Sequence, residues 1–129
     1  MSYKPQGHPD VSPYLIAADA GAVLRFLTEV FNAEITLTSH RDDGSLAHAE
    51  LRIGDSVIMI GGLADAAQSS AHVHVYRGDV DTVYAKAVAA GARSVQAPVQ
   101  KDDPDRRAGV QDPSGTTWWI ATRQGGAAP

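Results

Sequence analysis

"DPSGTTWWIAT", Asp112 to Thr122, carries both tryptophans of this chain side by side. "DPSG" is turn chemistry: Asp and Ser side chains bond nearby backbone, and Pro presets φ. The residues after it are rich in β-branched and aromatic types, which suit a strand. Successive strand side chains point to opposite faces. Trp118 and Trp119 therefore cannot share an environment. Trp118 is expected in a core with Ile120, and Trp119 on the other face with Thr117 and Ala121.

Reading upstream, "RRAGVQ" (Arg106 to Gln111) and "ARSVQAPV" (Ala92 to Val99) are two more strand candidates. "KDDPDRR" (Lys101 to Arg107) reads as a solvated loop, or a lid. "GDVDTVYAKAVAAG" is a helix with Asp79 or Asp81 as its cap and Gly91 as its stop. "AHVHVY" (Ala71 to Tyr76) is a short strand before it. The same order stands earlier in the chain. "SPYLIAAD" gives a strand and the N-cap Asp19. Val23, Phe26, Leu27 and Val30 form an apolar stripe at helical spacing, and Asn32 sits where a left-handed cap belongs. "AEITLTSH", "LAHAELRI" and "SVIMIGG" follow as strands, joined by the turns "DDG" and "GD".

The two halves superpose with an offset of 60 residues: Asp19 on Asp79, Val23 on Val83, Ile60 on Ile120, and Gly54-Asp55 on Ser114-Gly115. Strand, helix, three strands, twice, makes an α+β chain of two βαβββ modules. Module one spans about residues 11–61 and module two about 71–122, with a small-residue linker at 62–70. Residues 1–129 are read as a single domain.

Composition bounds the function. The chain has 129 residues, 43% hydrophobic, with a net charge of −4. A mildly acidic balance gives no electrostatic reason to bind nucleic acid or an anionic membrane. No cysteine is present, which excludes disulfides and thiolate chemistry and fits a cytoplasmic protein. No apolar run approaches the ~18 residues of a membrane span. "MSYKPQGHPDV" is too polar for a signal peptide, and the terminal "GGAAP" reads as a disordered tail. Nucleophile elbows and phosphate loops are missing.

With "PYLIAADAGAVLRFLTEVFNAE", "HAELRIGDSVIMI" and "DPSGTTWWIAT" in that order, residues 11 to 122 resemble the vicinal oxygen chelate superfamily. It comprises glyoxalase I, bleomycin-resistance proteins and extradiol dioxygenases, and the glyoxalase-like subgroup is the nearest in pattern. The resemblance implies half-open curled sheets with a concave pocket, helices on the convex side, and a homodimer with pockets near its interface. Metal-dependent members take ligands from the first and last strands of each module. The matching positions here are Ser12, Met59, His72 and Trp119. Serine is a poor ligand, a thioether suits soft metals, and indole only donates an N–H. A metal site of the glyoxalase type is therefore not expected, nor any cofactor.

His72 and His74 form an H-x-H pair on one strand face. They would chelate a metal only with a third ligand, for which His48 or Glu50 is available; otherwise they are polar pocket lining. Glu50 with His48 could in principle do acid–base chemistry, although a Glu and a His on a strand face are more often salt-bridged or solvated. The expected pocket set is Tyr14, Met59, His72, His74, Tyr76 and Trp119, with Val57, His48, Glu50 and Arg52 beside them. Such a lining fits a flat, partly apolar organic ligand. The expectation is a metal-independent binding protein that sequesters a planar aromatic compound such as an antibiotic. The alternative is a glyoxalase-like lyase, isomerase or dioxygenase with a divalent metal at His72 and His74.

Overall fold

The computed structural model describes residues 3–124; the tail read as disordered lies outside the described residues. Asp19 caps helix α1 (Ala20–Phe31) through its carboxylate, which accepts from Ala22 N at 3.0 Å. Asn32 closes it in the left-handed conformation, φ 55°. Its stripe of Val23, Phe26, Leu27 and Val30 is buried. Of the two capping aspartates in the second module, Asp79 caps α2 (Val80–Ala89), accepting from Thr82 N at 3.3 Å. Asp81 instead faces outward and pairs with Arg106 at 2.9 Å.

The described residues also form eight strands: β1 (Tyr14–Ala17), β2 (Glu34–His40), β3 (Leu46–Ile53), β4 (Ser56–Gly62), β5 (His72–Tyr76), β6 (Arg93–Gln100), β7 (Asp105–Gln111) and β8 (Thr117–Arg123). They form two four-stranded sheets, ordered β1-β4-β3-β2 and β5-β8-β7-β6. In each, the first strand pairs parallel with the last, and the other pairs are antiparallel.

Strand pairing turns the sequence repeat into geometry. Tyr14 pairs with Met59 and Leu15 with Ile60; His74 pairs with Trp119 and Val75 with Ile120. Each number in the second set is 60 above its counterpart. For β3 against β7 the offset falls to 59, since Ala49 faces Ile60 where Ala108 faces Ile120. The difference lies in the hairpins. Gly54 and Asp55 join β3 to β4, whereas Asp112 pairs with Thr116 around Pro113, Ser114 and Gly115. One extra turn residue accounts for the change in register.

Both helices pack on one face of the sheets and against each other. Leu15, Ile58, Ile60, Trp118 and Ile120 are buried there in one core shared by both modules. The Phe31 ring lies 4.9 Å from the Trp118 ring and ties the first helix to the last strand. The sheets do not close into a barrel, so each keeps one helix-free, concave face. Val57, Thr117 and Ala121 are in phase with those faces, with Met59 and Trp119, and are buried there. Tyr76 on β5 reaches over β8 to bond Asp105 on β7, so its ring crosses Ala121.

Candidate functional site

Strand alternation puts Tyr14, His48, Glu50, Arg52 and Met59 on the helix-free face of the first sheet, where Glu50 pairs with Met59 and Met59 with Tyr14. Glu50 is the hub. Its Oε1 lies 2.8 Å from His8 Nε2 and its Oε2 lies 3.5 Å from His48 Nε2. His48 Nδ1 meets the Tyr14 hydroxyl at 3.2 Å. The His8 hydrogen bond, opposed by desolvation, holds the Glu50 carboxyl below its ordinary range, so at neutral pH it is ionised. An anionic Glu50 fixes the His48 tautomer with its proton on Nε2 and leaves Nδ1 to accept from Tyr14. Arg52 donates to the Gly7 carbonyl. The N-terminal segment is therefore folded back onto this face.

The helix-free face of the second sheet carries His72, His74, Tyr76, Asp105, Arg107 and Trp119. The Trp119 indole lies flat across Gly109: a Cβ there would stand 2.7 Å from Trp119 Cζ3. Its Nε1 donates to His72 Nδ1 at 2.9 Å, and the two rings lie side by side across that bond, 7° from parallel with centroids 6.1 Å apart. Arg107 is held by three partners: His74 Nε2 at 3.2 Å, Asp103 at 2.9 Å and Asp105 at 3.1 Å. Burial, and then the Arg107 charge, push the His74 pKa down, so His74 is neutral at pH 7 and accepts from Arg107. Asp105 Oδ2 also accepts from the Tyr76 hydroxyl at 2.7 Å, which raises the Tyr76 pKa.

Two cavities adjoin this face. One of about 250 Å³ is lined by Gln96, Val99, Lys101, Asp105, Arg107 and Trp119. The other, about 500 Å³, lies where the modules meet and touches Val11, Pro13, Val57, His74, Tyr76 and Trp118. Among the described residues, two buried side-chain polar atoms lack a partner, His8 Nδ1 and Asp105 Oδ1. One belongs to each helix-free face.

The eight expected pocket residues thus fall into two groups. Tyr14, His48, Glu50 and Met59 lie on one sheet; His72, His74, Tyr76 and Trp119 lie on the other. Among the described residues no ion pair, ring contact or hydrogen bond between side chains joins the groups.

A family model for the Glyoxalase/Bleomycin resistance protein/Dioxygenase superfamily matches residues 7–120. The chain belongs to this superfamily. The glyoxalase-superfamily chain is 31% identical over 122 residues to the uncharacterized protein Rv0887c of Mycobacterium tuberculosis H37Rv, covering 85% of its own length and 72% of that relative. Among solved structures it resembles TioX from Micromonospora sp. ML1, with a TM-score of 0.74 and 24% identity over 89% of this chain and 98% of that one. It also resembles the fosfomycin resistance protein FosX from Mesorhizobium loti, with a TM-score of 0.67 and 20% identity over 88% and 91% of the two chains. These likenesses carry the fold.

Metal-dependent relatives raise the question whether this donor set fits a metal, and it does not. The indole at position 119 offers no lone pair and occupies His72 Nδ1 with its N–H. His74 Nε2 is taken by Arg107. His48 and Glu50, the possible third ligands, stand on the other sheet. No group of three or more His, Cys, Asp or Glu among the described residues could hold a metal ion.

Sequence reasoning missed His8, Asp105 and Arg107. "KDDPDRR" is only partly the expected loop, because β7 begins at Asp105, 5% exposed, with Arg107 on the pocket face. A Tyr-Asp-Arg network stabilises these charges in place, and its members are 29 and 2 residues apart. The usable signal was alternation: Asp105, Arg107 and Gly109 are spaced by two, in phase with Trp119. For His8 there was no periodic signal. No helix among the described residues is long and apolar enough to cross a membrane.

Proposed function

We propose that this chain is a metal-independent small-molecule-binding protein that sequesters a planar aromatic compound, such as an antibiotic. One observation carries the reading. At the strand position where metal-dependent relatives are expected to hold a ligand, this chain places the Trp119 ring flat over Gly109 and beside a cavity. A pinned indole is a stacking platform, worth about 0.5–1.5 kcal/mol per aromatic pair beyond area burial. That TioX and a fosfomycin resistance protein share the fold is consistent with it. Titrating the protein with planar antibiotics while following tryptophan fluorescence tests the proposal. Saturable quenching with the compound recovered unchanged supports it; no quenching across the panel refutes it.

We further propose a homodimer. A second copy could set the Glu50 face of one chain opposite the Trp119 face of the other and so complete a two-sided pocket. Native mass spectrometry should show a dimer, and a monomer at micromolar concentration would count against it. The Tyr14–His48–Glu50 chain supports a second reading, metal-free proton transfer through the Tyr14 hydroxyl. Recovery of the bound compound in chemically altered form, abolished by Glu50→Gln, would favour it.

A further inference from the structure

Among the groups lining the cavity beside Trp119, one has bonding capacity to spare. Asp105 offers the cavity nothing: its Oδ1 is buried, and its Oδ2 already accepts from Tyr76 and Arg107, at 2.7 and 3.1 Å. Arg107 donates from Nε to His74, from Nη1 to Asp103 and from Nη2 to Asp105. Gln96 is engaged at both ends. Its Nε2 donates to the Arg107 carbonyl at 3.2 Å, and its Oε1 accepts from Lys101 Nζ at 3.3 Å. Val99 and the Trp119 ring complete the lining. Lys101 is exposed, and that long bond to a neutral amide uses one of the three donors of its ammonium. Among the described residues no carboxylate pairs with it.

From these residues we infer that the ligand of the Trp119 pocket is an aromatic acid: a planar ring that stacks on Trp119 and bears a carboxylate that accepts from Lys101. The lining selects an acceptor. A donor on the ligand would find the oxygens of Asp105 and Gln96 buried or engaged, whereas an acceptor meets unused ammonium N–H groups. It also selects an anion, because the Lys101 charge has no internal counterion and hydrogen bonds between ions are shorter and stronger than neutral ones. The volume limits the size. About 250 Å³ lies below the ~300–1,000 Å³ of drug-sized sites, so one or two fused rings enter this cavity and the rest of a larger molecule stays outside. This inference rests on the binding function proposed above and adds the polar group of its ligand.

The test compares 2-naphthoate with 2-naphthamide, one ring system with and without the charge, by calorimetry on the full chain. At low salt the acid should bind about two- to fivefold more tightly, the scale of an exposed ion pair. Sodium chloride at about 0.5 M should screen that preference away. The chain's net charge of −4 acts in the opposite direction: alone it would weaken naphthoate binding, and salt would strengthen it. Lys101→Met keeps most of the aliphatic stem and removes the charge, so it should erase the preference and leave naphthamide affinity unchanged. The salt comparison on the unmodified protein needs no variant to fold. Equal or weaker binding of naphthoate at low salt overturns the acid inference and leaves the stacking pocket standing. Binding of neither probe overturns both. A preference that salt does not lessen, or that survives in Lys101→Met, overturns the assignment to Lys101.

Discussion

Gly109→Ala tests whether the Trp119 platform is built or incidental. Gly109 sits in β7, opposite Trp119 in register, and its backbone is not among those with positive φ. Alanine is therefore conformationally allowed, and in a strand interior it gains a little on the backbone side. The obstacle is the indole. A Cβ at position 109 would stand 2.7 Å from Cζ3, 2.9 Å from Cε3 and 3.3 Å from Cη2 of Trp119. Carbon pairs settle at about 3.5–4.0 Å, so the ring must lift by roughly 1 Å. Because that lift is normal to the ring and the Trp119 Nε1 to His72 Nδ1 bond lies in its plane, the bond lengthens from 2.9 Å to only about 3.1 Å and is bent rather than lost.

The fold should survive, since Trp119 is half-buried and nothing in the core moves. Stability should change by about 1 kcal/mol or less, read from urea unfolding. The indole should become more accessible. Trp118 is 1% exposed and shielded, so a rise in acrylamide quenching reports Trp119. Affinity for a planar ligand should fall about 2- to 12-fold, the factor matching the loss of one stacking contact of about 0.5–1.5 kcal/mol. A folded Gly109→Ala protein with unchanged quenching and unchanged affinity would refute the platform.

Two further outcomes follow from the same geometry. Asp112 accepts from Trp118 Nε1 at 2.7 Å and, through its other oxygen, from Ser114 N and Thr116 N; a double-mutant cycle of Asp112→Asn with Trp118→Phe should give a coupling of about 1.5–3 kcal/mol in urea melts, and additivity within about 0.5 kcal/mol would contradict it. Glu50 has its pKa lowered on folding, first by His8, so it contributes stability at pH above its ordinary value of 4.5 that is lost as pH falls through the lowered value; Glu50→Gln should flatten the decline below pH 4.5, and an unchanged acid slope would remove Glu50 from the account.

How much of this was legible in the sequence differs by residue. The caps Asp19 and Asn32, the hairpin at Gly54-Asp55 and the split of Trp118 from Trp119 all follow from local rules: turn chemistry, helical stripe, alternation by two. The 60-residue offset was legible because each module repeats the same local rules, and strand pairing then fixes it residue by residue. The site was less so. His8 reaches Glu50 across 42 positions from a segment with no period. Asp105 looked like loop because a buried aspartate is disfavoured until its partners are known, and Tyr76 and Arg107 became its partners only once β5, β8 and β7 lay side by side.

Physically, the two modules have diverged on their helix-free faces while keeping a common frame. Met59 and Trp119 are equivalent by the 60-residue offset, and so are Tyr14 and His74. In the first sheet the hub is a carboxylate opposite Met59, at Glu50; in the second the equivalent place is Gly109, and the absence of a side chain there is what lets an indole lie down. The acid of the second sheet stands four residues along β7 from Gly109, two same-face steps away, at Asp105, where it is buried and half-satisfied. A metal centre needs converging lone pairs, and each imidazole on the second face has one committed to an N–H donor instead, His72 to Trp119 and His74 to Arg107. An acidic residue at position 119 alone would therefore not create a metal site, because Arg107 would still occupy His74 and Ser12, a poor ligand, still holds in the first module the place that His72 holds in the second. Trp119→Glu should consequently abolish aromatic binding without conferring stoichiometric manganese or zinc binding, as measured by calorimetry; tight metal uptake by that single variant would show that the indole by itself is what separates this chain from its metal-dependent relatives.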